Sequence, residues 1–210
     1  MTYTLFGSQG SGSAAVEVAL VWAGATFEIV RASTWEPDSA QHALAHVNPL
    51  GQVPTLVLPD DRVMTESAAI LIELGLEYPA SGLLPAAAAA RAQCLRGLVY
   101  IAANCYSEVG ISDYPERWLP GARKPARERL RQGARTRLHH AWARFADLFP
   151  VRPYLAGRSP GALDILAAVV SHWSGTRAYL RDERPDFLAT LQRIEAHRRI
   201  APVLRRHWPS

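Results

Sequence analysis

Asn48-Pro49-Leu50-Gly51-Gln52-Val53-Pro54-Thr55-Leu56, followed by Met64-Thr65-Glu66-Ser67-Ala68-Ala69-Ile70, decides the fold of this chain. Proline cannot donate to a sheet, so Pro54 at the opening of a β-rich run calls for a special role. A cis Val53–Pro54 peptide would turn the N–H and C=O of Val53 outward at a strand edge. An extended peptide can pair with such an edge as an added strand. Glu66-Ser67 stands where a strand gives way to a helix. Free N–H groups there hold a carboxylate, the Ser67 hydroxyl adds a donor, and Glu66 supplies negative charge for an amino group. Together these groups suit a zwitterionic amino acid joined to a peptide.

Outward from that stretch, Thr55–Leu58 and Arg62–Thr65 are two β-rich runs joined across Pro59-Asp60-Asp61, which implies an antiparallel hairpin. Glu66–Tyr78 is a helix with Ile70, Leu71, Leu74 and Leu76 as its apolar positions. Upstream, residues 2–6 are a short strand and Ser13–Gly24 a helix ended by Gly24. Thr26–Val30 is a second strand, parallel to the first. Residues 37–47 form a short helix with proline near its start. The order is β-α-β-α-β-β-α. A linker rich in proline, glycine and alanine covers 79–90. Beyond it the patterns are helical: 91–107 with Leu95, Leu98, Val99, Ile101 and Ala102 toward the core, then 126–149, 162–179 and 186–206. In 126–149, Leu130, Ala134, Leu138, Ala141, Phe145 and Leu148 recur at helical steps. The expected architecture is α/β plus all-α: residues 1–78, a linker at 79–90, and a helical domain at 91–210.

Composition excludes several classes. The chain has 210 residues, of which 49% are hydrophobic, enough for a sizeable core and against full disorder. Its two cysteines cannot staple a chain this long, and Cys94 and Cys105 fit a reducing compartment. No apolar run approaches the roughly 18 residues needed to cross a bilayer, and the start lacks the pattern of a secretion signal. A cytoplasmic protein without membrane contact is expected. The net charge of +4 hides an asymmetry: residues 1–90 carry 2 basic and 9 acidic side chains, residues 91–210 carry 21 and 10. The basic run at 123–137 lacks interleaved aromatics, so no nucleic-acid partner is expected. His42 and His46 lie four apart without a third ligand, so no metal is expected.

The two quoted segments, with the order of elements around them, resemble the glutathione transferase superfamily over essentially the whole chain. The resemblance implies a thioredoxin-like amino-terminal domain and a helical domain that forms the pocket for a hydrophobic substrate. It implies glutathione as co-substrate, with Val53, Pro54, Glu66 and Ser67 binding it and Gln52 beside them. It also implies a homodimer.

Members of that family place a Tyr, Ser or Cys near the start of the first helix, next to the glutathione sulfur. Here the loop reads Gly7-Ser8-Gln9-Gly10-Ser11-Gly12-Ser13. The position of the cysteine in bacterial beta-type enzymes corresponds to Gly12, which argues against a mixed-disulfide mechanism. Ser11, then Ser13, are the candidate catalytic donors to the thiolate, although either hydroxyl can instead cap the helix. In the aromatic-rich stretch at 100–118, Asn104, Tyr106 and Trp118 are the expected residues of the hydrophobic-substrate pocket. Gly161-Ala162-Leu163-Asp164 is a second family mark, with Asp164 serving the start of a buried helix.

The function expected from this reading is a detoxifying glutathione S-transferase, moving alkyl or aryl groups. It would activate glutathione as a thiolate for conjugation or addition to a small hydrophobic electrophile. The alternative is a non-catalytic binding or regulatory protein of the same fold, kept alive by three departures from the family pattern: Gly12, Val99 where the resemblance implies an asparagine, and Gly161 where it implies Ser or Thr.

Overall fold

The computed structural model describes residues 2–33, 35–36 and 38–209. Strand β1 (Tyr3–Gly7) leads into helix α1 (Ser13–Ala23) and returns to β2 (Phe27–Arg31), which lies parallel to β1. Helix α2 (Gln41–Val47) then leads to the hairpin β3 (Thr55–Val57) and β4 (Val63–Thr65). β3 runs antiparallel to both β1 and β4, giving the sheet order β2-β1-β3-β4. Helix α3 (Ser67–Glu77) closes this layer. The result is a thioredoxin-like sheet with helices, followed by a part that is helical throughout.

A short 3-10 turn (Pro79–Ser81) precedes α4 (Ala88–Tyr100), which continues through a π-helical segment (Ile101–Tyr106) into α5 (Ser107–Asp113). Then come α6 (Pro115–Trp118), α7 (Lys124–Leu148), α8 (Ala162–Val170), α9 (Thr176–Glu183), α10 (Pro185–Glu195) and α11 (Ala201–His207). Two helices carry the packing between the halves. α1 contacts α3 on one side and α8 and α11 on the other, so Ala14, Ala15, Val16, Val18, Ala19 and Leu20 are fully buried. All nine residues of α8 are buried: eight are apolar on every side and so must be enclosed, and the ninth, Asp164, is held by backbone N–H groups.

Several expectations need correction. Leu76 is exposed (60%) because it lies two residues, about 200° of helix, from the buried Leu74. Val99 is exposed (58%), a turn of about 100° from the buried Leu98. On α7 Phe145 is fully buried but Leu148 is exposed, and Trp142 on the helix and Phe149 just after it add buried bulk. Helix 162–179 is two helices, because Ser174 and Gly175 adopt left-handed backbone conformations between them. Helix 186–206 is also two, with Pro202, which has no N–H to continue a preceding helix, in the first turn of α11. The last alanines of the linker belong to α4. α2 begins at Gln41, and the Pro37 expected near its start lies outside the described residues.

Candidate functional site

The start of α1, the loop before β3, the start of α3 and the π-helical segment meet around a cavity of about 800 Å³. The loop before β3 is organised by Asn48, which is 4% exposed. Its side-chain amide donates to the Gln52 carbonyl (3.2 Å) and to Thr55 Oγ1 (3.0 Å), and its Oδ1 accepts the Leu50 N–H (3.1 Å). Thr55 Oγ1 in turn donates to the Gln52 carbonyl at 2.8 Å. The Val53–Pro54 peptide that follows is cis. Among the described residues, no backbone partner occupies the N–H or C=O of Val53, which lines the cavity.

Across the cavity, Glu66 adopts φ 63° and ψ 112° between β4 and α3. A non-glycine residue at positive φ is uncommon and persists where its surroundings over-determine it. This conformation sets Ser67, 6% exposed, at the first turn of α3 with its hydroxyl on the cavity. The eleven-residue helix behind it presents free N–H groups and a positive dipole end to the same space.

The serines of the first loop form a compact knot. Ser11 Oγ donates to the Ser8 carbonyl (2.7 Å) and accepts the Ser13 N–H (3.2 Å). Ser13 Oγ lies 2.8 Å from Ser11 Oγ, accepts the Ser8 N–H (3.2 Å) and reaches the Ser8 carbonyl (3.1 Å). Only Ser11 of the two lines the cavity. Ser13 faces back into the loop, so its hydroxyl serves the backbone that precedes α1.

Tyr106 comes from the helical domain to the same point. A Cβ built on Gly12 would lie 2.2 Å from the Tyr106 hydroxyl and 3.1 Å from Ser67 Oγ. Position 12 is therefore glycine by close approach, and the space a side chain would need is filled by a phenol. Trp173 stands edge-on to the Tyr106 ring, with centroids 5.4 Å apart. Burial pushes the Tyr106 phenol up to about 12; the Ser67 hydroxyl works against this and the Glu66 charge adds to it. At neutral pH Tyr106 is a proton donor.

Trp35, Leu50, Tyr114, Arg117 and Trp118 form the outer wall. The Arg117 guanidinium lies 4.0 Å from the Tyr114 ring centroid, and Trp118 is 60% exposed at the rim. Asn104 does not join them: it is exposed, and its amide donates to the Tyr100 carbonyl on its own helix at 3.1 Å. The cavity thus brings together Ser11, Gln52, Val53, Pro54, Glu66, Ser67, Tyr106 and Trp118, and leaves out Ser13 and Asn104. Asn48 and Trp173 also line it, and neither was singled out by sequence. Asn48 was legible as a turn former two residues before Leu50. Trp173 carries no local signal, because only the packing of α8 against α1 brings it there.

Neither cysteine lies on the cavity, and burial pushes Cys94 up to about 11 and Cys105 higher still. Among the described residues no group of three or more His, Cys, Asp or Glu side chains could hold a metal ion. His46 Nδ1 lies 2.8 Å from the His42 carbonyl, on an exposed helix face. No described helix is long and apolar enough to cross a membrane. Asp164, at the start of α8, is fully buried and accepts the N–H groups of Leu155, Ala156 and Gly161 at 2.7 to 3.0 Å. It does not line the cavity, and its contacts are those of a folding residue.

Comparison with known proteins gives this geometry a context. The family described as glutathione S-transferase, N-terminal domain, matches residues 13–76. The chain is 28% identical over 204 residues, 97% of both chains, to the uncharacterized GST-like protein YncG of Escherichia coli strain K12. It is 25% identical to a glutathione transferase homolog from Sulfitobacter solved with bound glutathione, with a TM-score of 0.81 over 96% of each chain. Against BphK, a bacterial GST solved as a ternary complex, identity is 26% and the TM-score 0.77, over 96% of this chain and 98% of that one.

Proposed function

We propose that this chain, which belongs to the glutathione transferase superfamily, binds glutathione in the cavity and activates its thiol for attack on a small hydrophobic electrophile. The observation that carries the proposal is the Tyr106 hydroxyl over Gly12, facing the same cavity as the unpaired backbone of Val53 and the start of α3. The cysteinyl unit would pair with Val53. The γ-glutamyl carboxylate would take the Ser67 hydroxyl and the N–H groups of α3, and Glu66 would take the amine. Gln52 and Pro54 would shape that edge.

With the peptide so held, the sulfur would rest above Gly12 between Ser11 and Tyr106. The Ser13 hydroxyl can satisfy the Ser8 carbonyl, which frees the Ser11 proton to turn toward sulfur. Two donors would then favour the thiolate, in the manner of an oxyanion hole. The thiol proton leaves to solvent. Sulfur forms a bond to the electrophilic carbon, and a leaving group departs with its electron pair, or the adjacent carbon of an activated alkene takes a proton. Trp35, Tyr114 and Trp118 would hold the apolar substrate. Conjugation or addition of this kind is the reading the site supports best; a cytoplasmic homodimer serving detoxification is proposed with it from the family resemblance alone.

Thermal unfolding with and without about 10 mM glutathione tests the binding, followed by conjugation of a chloronitroaromatic compound. At a dissociation constant near 0.1 mM, glutathione would stabilise the fold by about 2.7 kcal/mol. A shift with turnover supports the proposal. A shift without turnover favours the second reading, a binding or regulatory protein, for which the closed hydrogen-bond knot of Ser11 and Ser13 is the supporting observation. No shift overturns glutathione binding and leaves a protein that shares the fold alone.

A further inference from the structure

The loop that carries Ser11 and Gly12 is fastened at Gly10 by the far end of the chain. The Gly10 N–H donates to His207 Nδ1 at 3.1 Å, and the Gly10 carbonyl accepts the Trp173 indole N–H at 3.1 Å. Gly10 has φ +71°, and a Cβ there would lie 3.8 Å from the His207 carbonyl oxygen and 3.9 Å from the Trp208 indole nitrogen. Both peptide groups flanking this left-handed turn are thus gripped by the helical domain. No local rule of sequence connects residues 10 and 207.

The grip on the N–H depends on which ring nitrogen carries the proton. A backbone N–H can only donate, so His207 Nδ1 must offer a lone pair and the imidazole proton must sit on Nε2. Nε2 lies 2.8 Å from Glu17 Oε2, and that carboxylate accepts it. Glu17 is buried at 4% exposure on α1, and its other oxygen takes the Arg206 guanidinium. Burial by itself would raise the Glu17 carboxyl, but the hydrogen bonds from His207 and Arg206 outweigh it and hold the group below its ordinary range. A buried carboxylate therefore fixes the tautomer of a buried imidazole, whose other nitrogen fixes the loop. Trp208 stacks on His172 with centroids 4.1 Å apart and lies 5.7 Å from the His207 ring.

We propose that His207 is a positioning residue for the first loop: Glu17 holds its Nε2–H tautomer, and the Nδ1 lone pair thereby sets Gly10, and through it Ser11 and Gly12, at the floor of the cavity. The consequence for ligand binding rests on the glutathione reading; the latch itself exists without any ligand.

Two amide substitutions in the full-length chain separate positioning from mere anchoring of α11. His207→Asn keeps an acceptor where Nδ1 stands and cannot reach Glu17. His207→Gln reaches Glu17 but leaves the Gly10 N–H unpaired. The measurements are hydrogen exchange and the NMR resonance of the Gly10 amide without ligand, glutathione affinity by calorimetry, and thermal unfolding to keep all samples folded. Loss of one well-made hydrogen bond corresponds to about a tenfold effect. His207→Gln is expected to speed Gly10 exchange about tenfold and weaken glutathione about tenfold, with His207→Asn within about threefold of the parent in both. Glu17→Gln, which leaves the ring in place but no longer imposes the tautomer, is expected to loosen Gly10 in the same direction. It serves if substitution of His207 prevents folding. Equal behaviour of the Asn and Gln variants, or a Gly10 amide as unprotected in the parent as in His207→Gln, would overturn the proposal. If the parent does not bind glutathione, the functional reading fails while Gly10 exchange still decides the latch.

Discussion

The hydroxyl of Tyr106 fills the space that a side chain at Gly12 would occupy: a Cβ there would come within 2.2 Å of that oxygen. The two residues are coupled across the domain boundary. The phenol reaches the start of α1 because position 12 is bare. A first prediction tests that coupling. Gly12→Ala should lower stability by about 1–3 kcal/mol through overpacking, and this cost should shrink when Tyr106→Phe removes the hydroxyl. A denaturant double-mutant cycle measures it, and independent, additive effects would contradict the close approach.

Tyr106→Phe alone bears on chemistry. A hydrogen bond to a charged sulfur is worth about 1.5–3 kcal/mol, so kcat/KM for glutathione conjugation should fall by about 10- to 100-fold with the fold intact. Burial pushes the phenol up to about 12, so it stays protonated near neutral pH. A pH–rate profile between pH 6 and 9 should therefore follow the thiol, and its midpoint should move up in the variant, because the thiolate has lost a donor.

Asn48→Ala removes the three hydrogen bonds that shape the loop ahead of Val53. The expected result is about 1–3 kcal/mol of lost stability together with weaker glutathione binding. Asn48→Asp should be no better, because a carboxylate cannot donate to the Gln52 carbonyl. Thermal unfolding with and without glutathione reads both effects.

Asp164 gives the chain a pH signature. Desolvation raises its carboxyl to about 6 in spite of the N–H groups of Gly161, Leu155 and Ala156 that bond it. The folded value lies above the ordinary 3.8, so the folded state holds the proton more tightly than the unfolded chain. That stabilisation is full below about pH 4 and is lost as pH rises through 6, by at most about 3 kcal/mol. Asn cannot accept all three N–H groups, so Asp164→Asn should be less stable at every pH. The gap should narrow between pH 4 and 6, as urea titrations of the two proteins would reveal. A gap that widened over that range would reverse the assigned sign.

Much of the frame was legible in the chain. The hairpin across Pro59-Asp60-Asp61, the helix ended at Gly24, and the role of Asp164 followed from turn chemistry, capping and apolar periodicity, which act over a few residues. Val53-Pro54 and Glu66-Ser67 were legible for the same reason, since each announces a local backbone feature at the end of a strand. Reading failed where periodicity had to choose between neighbouring positions: Leu76 and Val99 are as apolar as Leu74 and Leu98 but face outward. It failed again at Ser174-Gly175 and before Pro202, where continuous helical patterns are broken by backbone turns.

The sequence by itself determined the order of elements, the edge at Val53 and the helix start at Ser67, because hydrogen-bonding limits and side-chain period are properties of adjacent residues. The tertiary structure alone decided what stands around the first loop. Tyr106 over Gly12, Trp173 and His207 on Gly10, and the retreat of Ser13 and Asn104 from the cavity depend on how α1 is enclosed by α3, α8 and α11. Such contacts arise when buried helices pack at fixed distances, and no pattern within ten or twenty residues encodes which atoms will then meet.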